Sequence, residues 1–153
     1  MRPVANLYEL ETARDDDDPA GYGASYARLG PLVGGARLGM TVYELGPGLA
    51  ICPYHYELSD EEWLICLAGA PLLRTPEGER TLRPGDVVCF PAGAEGAHKV
   101  TAGAEPARVL IASTKSDLGV AVYPDSRKLG VWLGDEHHMV GLEPQLDYWD
   151  GEA

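Results

Sequence analysis

The chain has 153 residues, of which 45% are hydrophobic, and a formal net charge of -12. This length suits one compact domain with its own hydrophobic core, and the apolar content argues against wholesale disorder. The acidic surface repels phosphate backbones and anionic lipids, so we expect neither nucleic acid nor a membrane as a partner.

Residues 1–23 are expected to form an N-terminal arm outside the main domain. Residues 15–18 are four consecutive aspartates, and adjacent like charges repel one another, so we predict a solvated loop here. A calcium-binding loop is the alternative, but the spaced ligands and the glycine turn of such a loop are not seen.

From residue 24 onward, short extended segments dominate the pattern. Leu38, Met40 and Val42 alternate with small or polar positions, which is the period of a half-buried strand. Further strands are predicted at residues 51–58, 63–67, 72–75, 80–82, 87–90, 97–101, 107–113 and 120–123. Short strands at regular spacing predict an all-β sandwich or barrel over residues 24–122, and we expect residues 123–153 to form a turn-rich tail whose aromatic residues pack on it.

The three cysteines predict neither a disulfide framework nor a zinc ribbon. Their number is odd, and Cys52, Cys66 and Cys89 form no Cys-x-x-Cys pair. Apolar neighbours surround each of them in sequence, so we expect all three to fill the core. Because the N-terminus also lacks a basic stretch followed by an apolar run, we expect a cytoplasmic protein.

The candidate metal ligands are two histidines and two glutamates. Residues two apart on a strand face the same side, so His55 and Glu57 should project together. Glu62 lies just before the next predicted strand, close enough for a turn to bring it back, and His98 begins a later one. A set of two imidazoles and two carboxylates inside a barrel suits a divalent transition metal. The pair His137 and His138 is an alternative site that we interpret as polar surface.

These residues resemble the two sequence motifs of the cupin family. The first family motif consists of a glycine, a spacer, His-x-His, three or four residues, a glutamate, six residues and a glycine. The chain has Gly48 followed by His55-Tyr56-Glu57. Four residues then precede Glu62, and six residues separate Glu62 from Gly69. The second runs glycine, five residues, Pro-x-Gly, two residues, histidine; the chain has Gly85, five residues, Pro91-Ala92-Gly93, four residues and His98. The resemblance covers about residues 36–113 and is closest to small single-domain bacterial cupins.

The resemblance implies a double-stranded β-helix, the cupin jelly-roll barrel, made of two antiparallel sheets with minimal helix. It also implies a homodimer. His55, Glu62 and His98 match metal ligands of the family, whereas Glu57 stands where the family has its second histidine. An oxygen ligand at that position hardens the site, so it should favour Mn²⁺ or Fe²⁺ more than an all-histidine site would. We expect a divalent ion, and the residues leave the choice among Mn, Fe, Ni and Zn open.

Two functions follow as expectations. The first is a metal-dependent isomerase, epimerase or dioxygenase that acts on a sugar-like or organic-acid substrate. The second is a non-catalytic module that binds a small molecule and has a degenerate or absent metal site, which the substitution at Glu57 favours. A regulatory cupin would carry an additional DNA-binding helical region, and no segment here fits one.

Overall fold

The computed structural model describes residues 1–15 and 17–152. In this part of the chain, 44% of residues lie in strands and 7% in helices. The strands are β1 (Ser25–Arg28), β2 (Leu38–Leu45), β3 (Tyr56–Glu57), β4 (Glu62–Ala68), β5 (Leu72–Thr75), β6 (Gly78–Thr81), β7 (Val87–Phe90), β8 (Lys99–Thr101), β9 (Ala107–Thr114), β10 (Leu118–Tyr123), β11 (Lys128–Leu133) and β12 (Glu136–Gly141). The helix α1 spans Leu29–Val33, and short 3-10 helices span Ala94–Gly96 and Pro124–Ser126. The expected all-β class is confirmed.

The strands form antiparallel sheets of five, four and three strands. Their orders are β1-β2-β9-β4-β7, β12-β11-β10-β3 and β6-β5-β8. The two smaller sheets meet at an antiparallel bridge between His55 and His98, the residues that precede β3 and β8. The expected jelly-roll barrel is therefore present, and its second layer is divided into two sheets that join at this bridge.

The main core fills the space between the layers. Leu64 and Val109 of the five-stranded sheet belong to one buried cluster with Leu73 and Val100 of the three-stranded sheet. All four side chains are at most 2% exposed. Burial of one such side chain contributes about 1.5–3 kcal/mol, so this cluster holds the two layers together around the barrel interior.

A second core covers the outer face of the five-stranded sheet. Val42, Leu67 and Leu110 pack there with Leu29 of α1 and with apolar side chains of residues 5–10. Arg108 fastens this arm, because its guanidinium donates hydrogen bonds to the carbonyls of Leu7 and Leu10 at 2.9 and 2.6 Å. Part of the N-terminal arm is thus docked on the barrel.

Several expectations about burial and the C-terminal segment were wrong. Cys89 is exposed rather than buried, because it alternates with buried Phe90 on β7 and points to the opposite face of the strand. Residues 128–141 contain β11 and β12 instead of turns. Tyr148 and Trp149 are 84% and 72% exposed, so these two side chains do not pack on the barrel.

The structure does not test two other expectations. The division into residues 1–23, 24–122 and 123–153 remains a prediction, and the predicted solvated loop includes Asp16, which lies outside the described residues. No helix among the described residues has the length and apolar character needed to cross a membrane.

Candidate metal centre

A backbone contact brings the two candidate histidine ligands together. The amide of His55 donates to the carbonyl of His98 at 3.1 Å, and the amide of His98 donates to the carbonyl of His55 at 2.8 Å. Residues that pair in this way project their side chains from the same face of an antiparallel ladder. The ring centroids lie 4.7 Å apart, so two distant parts of the sequence present adjacent imidazoles.

The hydrogen bonds of the rings determine which nitrogen atoms can bind a metal. Nδ1 of His55 lies 3.0 Å from the carbonyl oxygen of Pro53, and Nδ1 of His98 lies 2.9 Å from that of Gly96. A carbonyl oxygen accepts and cannot donate, so we assign the proton of each neutral ring to Nδ1. Both Nε2 atoms then keep a lone pair, which is the arrangement of a histidine ligand with an ordering partner behind it.

Glu62 supplies the third ligand-type atom. It is the first residue of β4, and its Oε2 lies 3.8 Å from Nε2 of His55 and 3.5 Å from Nε2 of His98. Ligand atoms about 2.1 Å from an ion at tetrahedral angles are about 3.4 Å apart. Potential ligand atoms of all three residues lie within 4.8 Å of one another. These residues therefore fit a divalent ion in both chemistry and spacing.

Glu57 lies beside this group and is not a member of it. Its Oε1 is 3.8 Å from Nε2 of His55, and its side chain is 21% exposed. The strand parity of His55 and Glu57 is as expected, since both line the same cavity. The structure therefore brings together three of the four predicted ligands, and the role of Glu57 as a fourth ligand remains a prediction.

Neighbouring aromatic rings hold the imidazoles in place. Phe90 stacks on His98 with ring centroids 3.7 Å apart and planes inclined by 6°. Tyr123 stacks on His55 at 5.8 Å. The two histidines are consequently 8% and 4% exposed, and their environment is largely apolar on the side away from the carboxylates.

Burial shifts the protonation of the ligand group. It lowers the pKa of His55, and together with the nearby His55 ring it lowers the pKa of His98 to about 4. Burial, followed by the charges of Glu57 and Asp60, raises the pKa of Glu62 to about 7. Near neutral pH, both imidazoles are therefore neutral and able to bind a metal, while Glu62 is the group that exchanges a proton.

The ligand group forms one wall of a cavity of about 400 Å³. Glu57 of β3 lines the same cavity. The other lining residues come from the N-terminal arm, from residue 24 and β1, from β2 and β9, from residues 51 and 52, and from β8; they are Asp15, Asp18, Ala24, Tyr26, Arg28, Tyr43, Ile51, Cys52, Val100 and Ile111. A cavity of this size admits a small organic molecule.

Sequence reasoning missed the polar residues of the opposite wall. Tyr26, Arg28 and Tyr43 face the cavity because β1 pairs with β2 in the register Tyr26 to Tyr43. That pairing joins distant segments, and no local pattern specifies it. Cys52 was expected in the core, but it lines the cavity with its Sγ 3.5 Å from Nδ1 of His55.

Comparison with protein families agrees with this architecture. A cupin domain model matches residues 41–113, the segment that contains all three members of the ligand group. The chain belongs to the cupin superfamily. A search of the curated proteins found no match to this cupin.

Solved structures resemble this cupin over most of its length. A sugar phosphate isomerase from a cupin superfamily, from Silicibacter pomeroyi, is 25% identical, has a TM-score of 0.82, and aligns over 97% of this chain and 98% of its own. A candidate sugar phosphate isomerase from Acidithiobacillus ferrooxidans is 24% identical, with a TM-score of 0.82 and coverage of 92% and 91%. The polyketide cyclase RemF from Streptomyces resistomycificus is 20% identical, with a TM-score of 0.57 and coverage of 74% and 80%; the last two likenesses concern the fold alone.

Proposed function

We propose that this cupin binds a divalent metal ion through His55, Glu62 and His98 and isomerises a small phosphorylated sugar in the adjoining cavity. The observation that carries the proposal is the convergence of three ligand-type side chains on one wall of that cavity. The likeness to the Silicibacter pomeroyi sugar phosphate isomerase over nearly the full length of both chains supports the choice of substrate class.

Isomerisation of a sugar moves a hydrogen between neighbouring carbons and conserves all atoms and electrons, so it needs no oxidant. A bound divalent ion would polarise the sugar carbonyl as a Lewis acid. The protein must then provide a group that accepts a proton from one carbon and returns it to the next.

Glu57 is our candidate for this proton transfer. Its carboxylate lines the cavity and lies next to the ligand group without belonging to it. Tyr43 and Cys52 also line the cavity, but burial raises the pKa of each to about 12. These two groups therefore stay protonated near neutral pH, where they can donate hydrogen bonds to substrate oxygens but cannot accept the proton.

The competing assignment for Glu57 is its predicted role as a fourth metal ligand. The variant Glu57→Gln distinguishes proton transfer from metal ligation. If Glu57 transfers the proton, the variant should keep the metal affinity of the wild type and lose activity by about 100-fold or more. If Glu57 is a ligand, the variant should lose metal affinity together with activity.

The experiment combines metal titration with an isomerase assay. We would load the purified protein with Mn²⁺, Fe²⁺, Ni²⁺ or Zn²⁺ and follow the interconversion of aldose and ketose phosphates by NMR. The proposal expects turnover that depends on the metal and is absent in His98→Ala. Metal binding without turnover on any sugar phosphate would contradict the isomerase, and failure to bind any ion would favour the non-catalytic binding module.

The homodimer expected from the family resemblance is part of the proposal. Trp63 on β4 and Val87 on β7 are 45% and 54% exposed, and β7 is an edge strand. Exposed apolar side chains next to a free strand edge favour association with a second copy. Light scattering should give the mass of a dimer at micromolar concentration, and the mass of a monomer would contradict this expectation.

A further inference from the structure

One fixed positive charge lies across the cavity from the ligand group. Arg28, the last residue of β1, is the sole lysine or arginine among the described residues that line this space. Arg74, Arg108 and Arg127 each pair with a carboxylate, whereas no such pair involves Arg28 within residues 1–15 and 17–152. The Arg28 guanidinium lies 5.6 Å from the ring centroid of Tyr26, and such a contact with a ring face leaves its N–H groups able to donate to a ligand in the cavity.

Strand register places Arg28 on the same face of the sheet as Glu62. Arg28 pairs with Thr41, Thr41 with Ile111, and Ile111 with Leu64. Leu64 follows Glu62 by two residues on β4, so these two side chains share a face. Arg28 and Leu64 are the ends of this row of four paired residues. They lie three strand spacings apart, which corresponds to about 14 Å between their backbones. The long side chains of Arg28 and Glu62 both line the cavity, one from each end of this row of strands, so a small elongated molecule can contact both.

We infer that Arg28 binds the phosphate of the substrate and thereby orients the sugar so that its carbonyl end meets His55, Glu62 and His98. This inference rests on the proposed function and assigns its specificity-determining residue. A guanidinium offers paired N–H donors that match two phosphate oxygens, which makes arginine better suited than lysine to this task.

The acidic residues around Arg28 restrict where an anion can bind. Asp15 and Asp18 line the same cavity, and Asp15 accepts a hydrogen bond from the hydroxyl of Tyr26 at 3.1 Å. These carboxylates repel a phosphate, so Arg28 is the place where the cavity can hold one. Asp15→Asn keeps an acceptor for Tyr26 and removes one negative charge, and it should therefore tighten phosphate binding severalfold at low salt.

The test compares ribose 5-phosphate with unphosphorylated ribose by titration calorimetry. The wild type should bind the phosphorylated sugar at least tenfold more tightly. Arg28→Ala should abolish most of this preference, and Arg28→Lys should retain part of it. The matched control is Arg83→Ala, an exposed arginine that does not line the cavity, and it should behave as the wild type. Thermal unfolding of each variant checks that the fold is intact.

The outcomes separate this inference from the proposed function. A wild type that shows no preference for ribose 5-phosphate, or an Arg28→Ala variant that keeps the full preference, would overturn the role of Arg28. A preference that depends on Arg28 in a protein that binds no metal would support this role and contradict the metal centre. Titration with Mn²⁺ alone makes that distinction, because Arg28→Ala should bind the ion as the wild type does.

Discussion

His55 and His98 exchange both of their backbone hydrogen bonds, at 3.1 and 2.8 Å. The same contact that joins the three-stranded and four-stranded sheets therefore sets the distance between two candidate metal ligands. A displacement of either sheet would move one imidazole relative to the other. We expect the metal centre and the junction of the two sheets to be stabilised together, because an ion that binds the folded state alone raises its stability.

Removal of His98 should weaken metal binding sharply. Loss of groups that merely orient a ligand already lowers metal affinity 10–100-fold, so loss of a direct ligand should lower it by about 100-fold or more. Titration calorimetry of His98→Ala with Mn²⁺, Ni²⁺ and Zn²⁺ measures this change. His137→Ala is the matched control, since His137 is exposed on β12, and it should bind as the wild type does. An unchanged affinity in His98→Ala would show that His98 is not a ligand.

Under the competing assignment, in which residue 57 is a fourth metal ligand, Glu57→His should change the metal preference of the site. The substitution restores the histidine that the cupin motif has at this position and replaces a carboxylate with a neutral imidazole. Affinity for Ni²⁺, Cu²⁺ and Zn²⁺ should rise relative to affinity for Mn²⁺, because nitrogen ligands favour these ions. Competition titrations with pairs of ions measure the ratio. A ratio identical to that of the wild type would mean that residue 57 does not reach the ion.

Metal affinity should fall as the pH drops below about 7, and Glu62 should control this dependence. The metal-free protein keeps a proton on Glu62 below its pKa of about 7, and the ion must displace that proton. His98 has a pKa of about 4 and stays neutral over this range. Calorimetry in two buffers should detect about one released proton at about pH 6 and almost none at about pH 8. Release that persists in Glu62→Gln would contradict this assignment.

The metal-free protein should be stabilised by Glu62→Gln above pH 7. The folded-state pKa of Glu62 is about 7 against an ordinary value of 4.5, so ionisation lowers stability progressively as the pH rises between these values. The variant lacks this effect and should gain up to about 3 kcal/mol at about pH 8 in the presence of a chelator.

His98 changes the pH dependence of stability in the opposite direction to Glu62. Because its pKa in the folded protein is lowered to about 4, the free energy of unfolding falls as the pH drops from 6.5 toward 4. Glu62→Gln should therefore lose stability on acidification more steeply than the wild type. Urea denaturation at about pH 5 and about pH 8 measures both effects, with Glu79→Gln on exposed β6 as the control. A Glu62→Gln variant that is less stable than the wild type at about pH 8 would refute the argument.

The elements that local patterns specify were predictable from sequence. His55, Glu62 and His98 lie at or just before the starts of strands, and the motif spacings to Gly69 and Pro91 relate them to the barrel. The parity of His55 and Glu57 needs nothing beyond the two-residue period of a strand. These signals sufficed for the all-β class and for the three residues that the structure brings together.

The remaining features depend on contacts between distant segments. Arg28 faces the cavity because β1 pairs with β2, and Asp15 reaches it because the N-terminal arm folds back. All residues of β12 are exposed, so that strand lacks the apolar alternation that predicts strands. Cys89 is exposed because it lies on the face of β7 opposite to buried Phe90, and the uninterrupted apolar run of residues 87–90 does not reveal which face is buried.

A crystal structure of the protein soaked with Mn²⁺, with diffraction data that record the anomalous signal of manganese, tests the metal centre most directly. We predict one strong anomalous peak at about 2.2 Å from Nε2 of His55, Nε2 of His98 and a carboxylate oxygen of Glu62, and no such peak in crystals of His98→Ala. The absence of a peak at this position in the wild type, or a dominant peak at His137 and His138, would contradict the account.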